Sequence, residues 1–140
     1  MIPTNTFQDA VKAMLLADPV IAQHIAPAHI RIGTVRPTQL PAIIISPTRA
    51  NILGRAAGGQ IVAEVSLLVG VYASNTGEDD TSHTLGPSAF VALMDAPKAS
   101  GFQIDEWERP SVIFHDQAAS VGNASHNIIS LRAVIRWFDQ

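Results

Sequence analysis

Two long stretches of alternating apolar residues constrain the fold of this chain more than any other feature of its sequence. The first runs from Gln60 to Tyr72 and the second from Ile129 to Phe138. Because successive side chains of a strand point to opposite faces of a sheet, this alternation predicts two long strands with one face toward a core. The positions expected on the core face are Ile61, Ala63, Val65, Leu67, Val69 and Val71 in the first strand and Ile129, Leu131, Ala133, Ile135 and Trp137 in the second.

The N-terminal region has the spacing of an amphipathic helix. Thr6 is an N-cap residue type, and Asp18 is expected to end the helix because the residue before a proline avoids the α region. The apolar positions that recur at helical spacing are Phe7, Ala10, Val11, Met14 and Leu15.

Two further helical segments follow from the sequence. A short one is expected over residues 20–25, before Pro27. A longer one is expected to end near Asp95, with Pro87 at its first position, where a missing N–H costs no helical hydrogen bond.

The shorter apolar runs predict the remaining strands, at residues 30–32, 42–46, 102–107 and 112–114. The chain is therefore expected to form one α+β domain over residues 1–140, a mainly antiparallel twisted sheet with two main helices packed on one face. Residues 1–5 are expected to form an N-terminal arm, and residues 46–60 and 74–80 to form extended loops.

Composition narrows the possible functions. Of the 140 residues 47% are hydrophobic and only 15% are charged, against about 25% charged residues in average domains. So few charges fit a surface covered by partner subunits, and they fit equally an alanine-rich core under a Ser/Thr/Asn surface. The net charge of −3 argues against nucleic-acid binding, which normally needs a basic face. The apolar runs are too short to span a bilayer and the N-terminus has no signal-peptide pattern, so synthesis inside the cell is expected.

The sequence carries no recognisable catalytic or metal-binding motif. The absence of cysteine excludes thiolate zinc sites and cysteine nucleophiles. His24 and His29 are five apart with a proline between them, and the other histidines are isolated, so no zinc-helix spacing occurs. No Gly-x-Ser-x-Gly motif is present, and the glycine-rich residues 54–59 lack the Lys-Ser/Thr of a phosphate loop. We therefore expect a protein that is not an enzyme and that uses no cofactor or metal.

Two arginines of the last strand are candidate contact residues. Arg132 and Arg136 lie on the strand face opposite the core positions, together with Phe138. They are expected to pair either with acidic residues of the same chain or with a neighbouring subunit, and the sequence leaves both open.

The order of these segments resembles a known family. The features that carry the resemblance are a first helix ending in Leu15-x-Ala-Asp-Pro19, the segments His29-Ile-Arg-Ile32 and Leu40-Pro-Ala-Ile-Ile-Ile45, the long alternating strand, a second helix, and a last strand reading Leu131-Arg-Ala-Val-Ile-Arg-Trp137. Over about 130 residues this layout is similar to the tail terminator, or tail-completion, proteins of long-tailed phages and of gene transfer agents.

The resemblance implies a structural virion protein assembled in the host cytoplasm. Such proteins form a six-membered ring at the head–tail junction, which caps the tail tube, ends its polymerisation and docks to the head-side connector. The implied partners are other copies of the chain, the tail tube protein and the connector or stopper protein. DNA passes through the lumen without specific binding. Another neck component, such as a head-completion or stopper protein, is an alternative, and a small-ligand-binding α+β module is a further one.

The residues expected to contact these partners lie mainly in the 46–60 segment. Ile52, Leu53 and Arg55 would anchor an axial or neighbour contact, and Arg49 would pair with an acidic neighbour. A second set, expected to face the lumen or one ring face, is the acidic run Glu78, Asp79 and Asp80.

Overall fold

The computed structural model describes residues 3–34, 37, 39–74, 84–98, 101–117 and 124–138. Three α-helices and seven strands occur in these ranges. The helices are α1 (Thr4–Ala17), α2 (Pro19–His24) and α3 (Leu85–Ala92), with single 3-10 turns at Pro27–His29 and Ala57–Gly59. The strands are β1 (Ile30–Ile32), β2 (Ala42–Ile45), β3 (Arg49–Arg55), β4 (Gln60–Ser74), β5 (Gln103–Trp107), β6 (Ser111–Gln117) and β7 (Ala124–Phe138).

The two long strands form the centre of a single sheet. β4 and β7 pair antiparallel along their full length, from Gln60 opposite Phe138 to Ser74 opposite Ala124. Each has 15 residues, so the ribbon is about 50 Å long at about 3.4 Å per residue. The long alternating stretches of the sequence are thus adjacent strands. Each of the remaining described strands pairs with β4 or β7, except β1, which pairs with β2.

The shorter strands lie end to end along the outer edges of this ribbon. β2 and then β3 pair antiparallel with β4, whereas β5 and then β6 pair antiparallel with β7. Hydrogen bonds continue across both breaks, because the Ser46 N–H donates to the Leu68 carbonyl (2.9 Å) and the Glu108 N–H donates to the Arg132 carbonyl (3.0 Å). The sheet therefore has four rows that lie side by side, formed by β2 with β3, by β4, by β7 and by β5 with β6. β1 pairs in parallel with β2 outside the first row.

The helices cover one face of this sheet and enclose the core. The alternate positions of β4 from Ala63 to Ala73 and of β7 from Ile129 to Trp137 are buried on that face, as the sequence predicts. Phe7 of α1 makes edge contacts with the rings of Phe102 and Trp107, both at centroid distances of 6.2 Å. The helical residues buried against the sheet are Phe7, Val11, Leu15, Ile21, Leu85, Ala89 and Leu93.

The α+β class and the largely antiparallel sheet are confirmed, but several boundaries differ from the sequence prediction. α1 begins at Thr4 after Pro3 and not after Thr6, so the predicted arm of residues 1–5 is partly helical. Asp18 ends α1 and also caps α2, since its Oδ1 accepts the N–H groups of Val20 (2.9 Å) and Ile21 (3.1 Å). Pro87 is the third residue of α3, still within the first turn, where a backbone N–H has no helical acceptor.

The prediction of a loop over residues 46–60 is wrong for residues 49–55. Arg49–Arg55 is a strand paired with β4, and only the turn at Ala57–Gly59 and the short link before β3 are irregular. The backbone φ angles of Gly58 (80°) and Gly59 (81°) lie in the left-handed region, which explains glycine at this hairpin turn. Of the other predicted loop, residues 74–80, Ser74 belongs to β4 and the rest lies outside the described residues.

Candidate assembly surfaces

The described residues contain no cluster of side chains typical of a metal site. No group of three or more His, Cys, Asp or Glu side chains is placed to hold an ion within the described ranges. No helix in the same ranges is long and apolar enough to cross a membrane. The surfaces of the described residues that could contact another macromolecule are one uncovered sheet face and two free sheet edges.

The sheet face opposite the helices, here called the open face, carries the alternate residues of the two central strands. No described helix packs against it, and Leu68 and Phe138 are largely exposed there. The open face is apolar toward the β1–β2–β6 end and charged toward the β3–β5 end. Its members on the central strands are Val62, Glu64, Ser66, Leu68, Gly70 and Tyr72 of β4 and His126, Ile128, Ser130, Arg132, Val134, Arg136 and Phe138 of β7.

The apolar end of the open face contains a shallow groove of about 280 Å³. Tyr72 and His126 lie opposite each other in register, and their rings stack at 4.0 Å with an interplanar angle of 13°. A Cβ at Gly70 would lie 3.2 Å from both His126 Nε2 and Tyr72 Cε2, so glycine leaves room for the stacked rings to fold over the groove. The groove walls are mainly Ile44, Leu68 and Ile128.

The charged end is held by ion pairs within the chain. An N–H of the Arg132 guanidinium donates to Glu64 Oε2 (2.6 Å), and its Nε lies 3.6 Å from Glu108. Arg136 pairs with Asp105 at 3.1 Å. The hydrogen bond with the Glu64 carboxylate raises the pKa of Arg132 above its usual value, which favours the charged guanidinium. Of the two alternatives for Arg132 and Arg136, the structure has pairing within the chain.

The edge strand β3 carries the partner residues predicted in the 46–60 segment. Ile52 and Leu53 are 62% and 58% exposed, and Arg49 and Arg55 are exposed as well. Neither arginine makes an ion pair with any residue that the structure describes. A β-bulge at Leu53 shifts the register between Ile52 and Gly54. The structure thus brings these four predicted residues together on one free edge.

Two exposed apolar residues were missed by the sequence prediction. Ile113 and Phe114 of β6 are 58% and 57% exposed on the opposite edge of the sheet. The sequence Val112-Ile113-Phe114 contained the signal, since consecutive strand residues alternate faces and a strand covered on one face cannot bury all three. Glu78, Asp79 and Asp80 lie outside the described residues, so their placement at a lumen or ring face stays a prediction.

Comparison with solved structures gives several matches, one of which extends over nearly the full length of the chain. No protein-family profile matches the chain, and no curated protein matches it. Among solved structures, the chain is similar to one chain of a structure described as "Virion of native gene transfer agent (GTA) particle". The TM-score is 0.70 at 17% sequence identity, and the match covers 96% of this chain and 98% of the other. At this identity the similarity establishes a shared fold.

Proposed function

We propose that this chain is a structural virion protein that forms a ring at the head–tail junction of a phage-like particle. The observation that carries the proposal is the match in fold to a gene transfer agent virion chain, because it leaves almost no part of either chain unaligned. In this role the ring caps the tail tube, ends its polymerisation and docks to the head-side connector. The protein is located in the virion after assembly in the host cytoplasm.

The chemistry of the surface supports an assembly role over a catalytic one. A closed ring needs two different complementary patches on each subunit, which meet head to tail. The free edges at β3 and β6 each expose two large apolar side chains, which contact with a partner would remove from water. The net charge of −3 is compatible with DNA that passes through a lumen without adhering.

The proposed contacts with partners follow from these surfaces. Arg49, Ile52, Leu53 and Arg55 on β3 contact either a neighbouring subunit or an axial partner. Arg132 and Arg136 contribute through the charged end of the open face, where their ion pairs fix the orientation of the guanidinium groups. The acidic run Glu78, Asp79 and Asp80 faces the lumen or one side of the ring.

Electron microscopy and light scattering of the purified protein test the ring directly. We expect ring-shaped particles with the mass of six copies, and mixing with purified tail tubes should place one ring at the tube end and stop further growth. A protein that remains monomeric at all concentrations and on tubes contradicts the proposal.

Partner choice separates the proposed role from that of another neck component. A terminator binds isolated tail tubes, whereas a stopper or head-completion protein binds the connector of tail-less heads. Pull-down with the two purified structures, each in the absence of the other, therefore decides between them. Binding to heads alone would assign the chain to the stopper position.

A further inference from the structure

The two edges of the sheet at its charged end are complementary to each other. At this level the strand order from edge to edge is β3, β4, β7, β5, and each neighbouring pair is antiparallel. With four alternating strands, β3 and β5 run in opposite directions. If a second copy stands beside the first with the same face outward, its β3 meets β5 of the first copy in antiparallel orientation, which suits strand addition.

The charges on the two edges are of opposite sign. β3 (Arg49–Arg55) contains two exposed arginines and no acidic residue. The β5 edge contains Asp105 and Glu106, and Glu108 follows directly. Asp105 is paired with Arg136 and Glu108 lies near Arg132, but Glu106 has no ion pair with any described residue. The basic edge therefore has unpaired positive charge, and the acidic edge has unpaired negative charge at Glu106, although the exposed Arg109 follows Glu108.

The register places one pair of complementary residues, Arg49 and Glu108, at matching heights. Arg49 is opposite Ser66, Ser66 is opposite Arg132, and the Arg132 carbonyl accepts the Glu108 N–H, so Arg49 and Glu108 lie on one cross-strand row. A second row on the helix side of the sheet is entirely apolar. It consists of Ile52, Ala63, Ile135 and Ile104.

Both rows meet their counterparts in the same straight alignment of two copies. Arg49 of one copy then lies beside Glu108 of the next on the open face, while Ile52 lies beside the half-buried Ile104 on the other face. The two rows are three residues apart on β3, from Arg49 to Ile52, but four residues apart along the β5 edge, from Ile104 to Glu108. The extra residue is Asp105, which forms a β-bulge. Bulges of this kind prevent indiscriminate edge pairing, so the side chains select the partner edge.

We propose that the β3 edge of each subunit docks on the β5 edge of the next copy of this chain, head to tail, and extends one sheet through the assembly. This inference rests on the proposed ring and names the surface that closes it. It assigns the β3 residues to a neighbouring subunit and not to an axial partner.

Reciprocal charge reversal tests the pairing. The variant Arg49→Glu with Arg55→Glu makes both edges acidic, and the variant Glu106→Arg with Glu108→Arg makes both edges basic. Each alone should need at least about tenfold more protein to assemble than the unmodified chain, since the two edges that meet then carry charge of the same sign. An equimolar mixture should assemble again as alternating copies. Lys98→Glu, an exposed charge reversal outside β3 and β5, is the matched control and should assemble normally.

Disulfide trapping gives an independent test, because the natural sequence has no cysteine. In Ile52→Cys with Ile104→Cys, the two cysteines of one copy are separated by three strand spacings, about 14 Å, which is too far for a bond within the chain. Oxidised assemblies should therefore give a ladder of covalent multimers on a non-reducing gel, whereas each single variant should give none beyond a dimer.

The possible outcomes separate this inference from the proposed function. Rings that form but show neither charge-dependent assembly nor a disulfide ladder overturn the edge pairing and leave the ring intact. An unmodified chain that forms no ring, alone or on tail tubes, overturns both. Circular dichroism of each variant shows whether a lost assembly reflects lost folding, and a folded monomer together with rescue on mixing supports the pairing.

Discussion

At the scale of single residues, the contact between Gly86 and Asn127 shows how closely α3 is packed on the sheet. Gly86 lies in the first turn of α3, and Asn127 of β7 is only 3% exposed. A Cβ at position 86 would overlap the side-chain amide nitrogen of Asn127 and would lie 2.9 Å from its Cγ. That amide nitrogen has no hydrogen-bond acceptor among the described residues, so Gly86 and Asn127 interact through van der Waals packing.

Overpacking a core typically costs about 1–3 kcal/mol, and replacing glycine by alanine in a helix returns about 1 kcal/mol. We therefore expect Gly86→Ala to lower the free energy of unfolding by up to about 2 kcal/mol. Chemical denaturation measures the change. In an Asn127→Ala background the same substitution should be neutral or stabilising, and equal losses in both backgrounds would show that the overlap is not the cause.

Arg132 offers a residue at which stability and assembly should respond differently. Its ion pairs with Glu64 and Glu108 lie at the surface, where solvent screens them and their contribution to stability is small. Arg132→Ala should therefore leave the midpoint of chemical denaturation almost unchanged. If Arg132 orients the acidic edge, the same variant should weaken assembly measurably in light scattering. A large loss of stability would mean that the pair is needed for the fold itself.

At the scale of secondary-structure elements, burial explains which strands could be predicted. β4 and β7 alternate apolar and polar residues because one face of each lies under the helices, and this pattern is visible in the sequence. β3 has no such pattern, since six of its seven residues are exposed and only Ala50 is half-buried. Its strand conformation comes from backbone pairing with β4, which depends on residues far along the chain and leaves no local signal.

The same reasoning applies to the candidate surfaces. Ile52 and Leu53 could be predicted as exposed because the glycines around them suggested an irregular surface segment, although the segment is a strand. Whether Arg132 would pair inside or outside the chain could not be predicted, because its partners Glu64 and Glu108 come from other strands. The complementarity of the β3 and β5 edges depends on strand order, which the sequence does not reveal.

The exposed edge of β3 should therefore be replaceable without loss of fold. We expect Ile52→Ser with Leu53→Ser to change the free energy of unfolding of the monomer by less than about 1 kcal/mol in total, as for surface sites away from packed contacts. The same variant should assemble poorly. Leu67→Ala, which truncates a side chain only 3% exposed in the core, should cost about 2–5 kcal/mol and serves as the comparison. Full assembly by the Ile52/Leu53 variant would exclude the edge as an interface.

At the scale of the whole molecule, the helices of the described residues all lie on one face of the sheet, and none of them packs on the other face. The helices and the sheet form two layers that enclose a continuous core, so the fold needs no further layer on the open face to remain stable. The open face and the two edges are then available for contacts between molecules. Their residues differ from one edge to the other, so contact between unlike edges generates a closed ring or an open filament, depending on the angle between neighbours.

Assembly through these edges should couple the stability of the chain to its concentration. Subunits that bind only when folded stabilise one another by mass action, so the apparent Tm should rise as the protein is concentrated. A dilution series by differential scanning fluorimetry over about three orders of magnitude measures this rise. The Arg49→Glu, Arg55→Glu variant should melt at one temperature throughout the series, equal to that of the unmodified chain at its lowest concentration, because its subunits unfold alone. A Tm of the unmodified chain that does not change with concentration would mean that contacts between copies add no stability, and the head-to-tail edge contact would then be ruled out for the free protein.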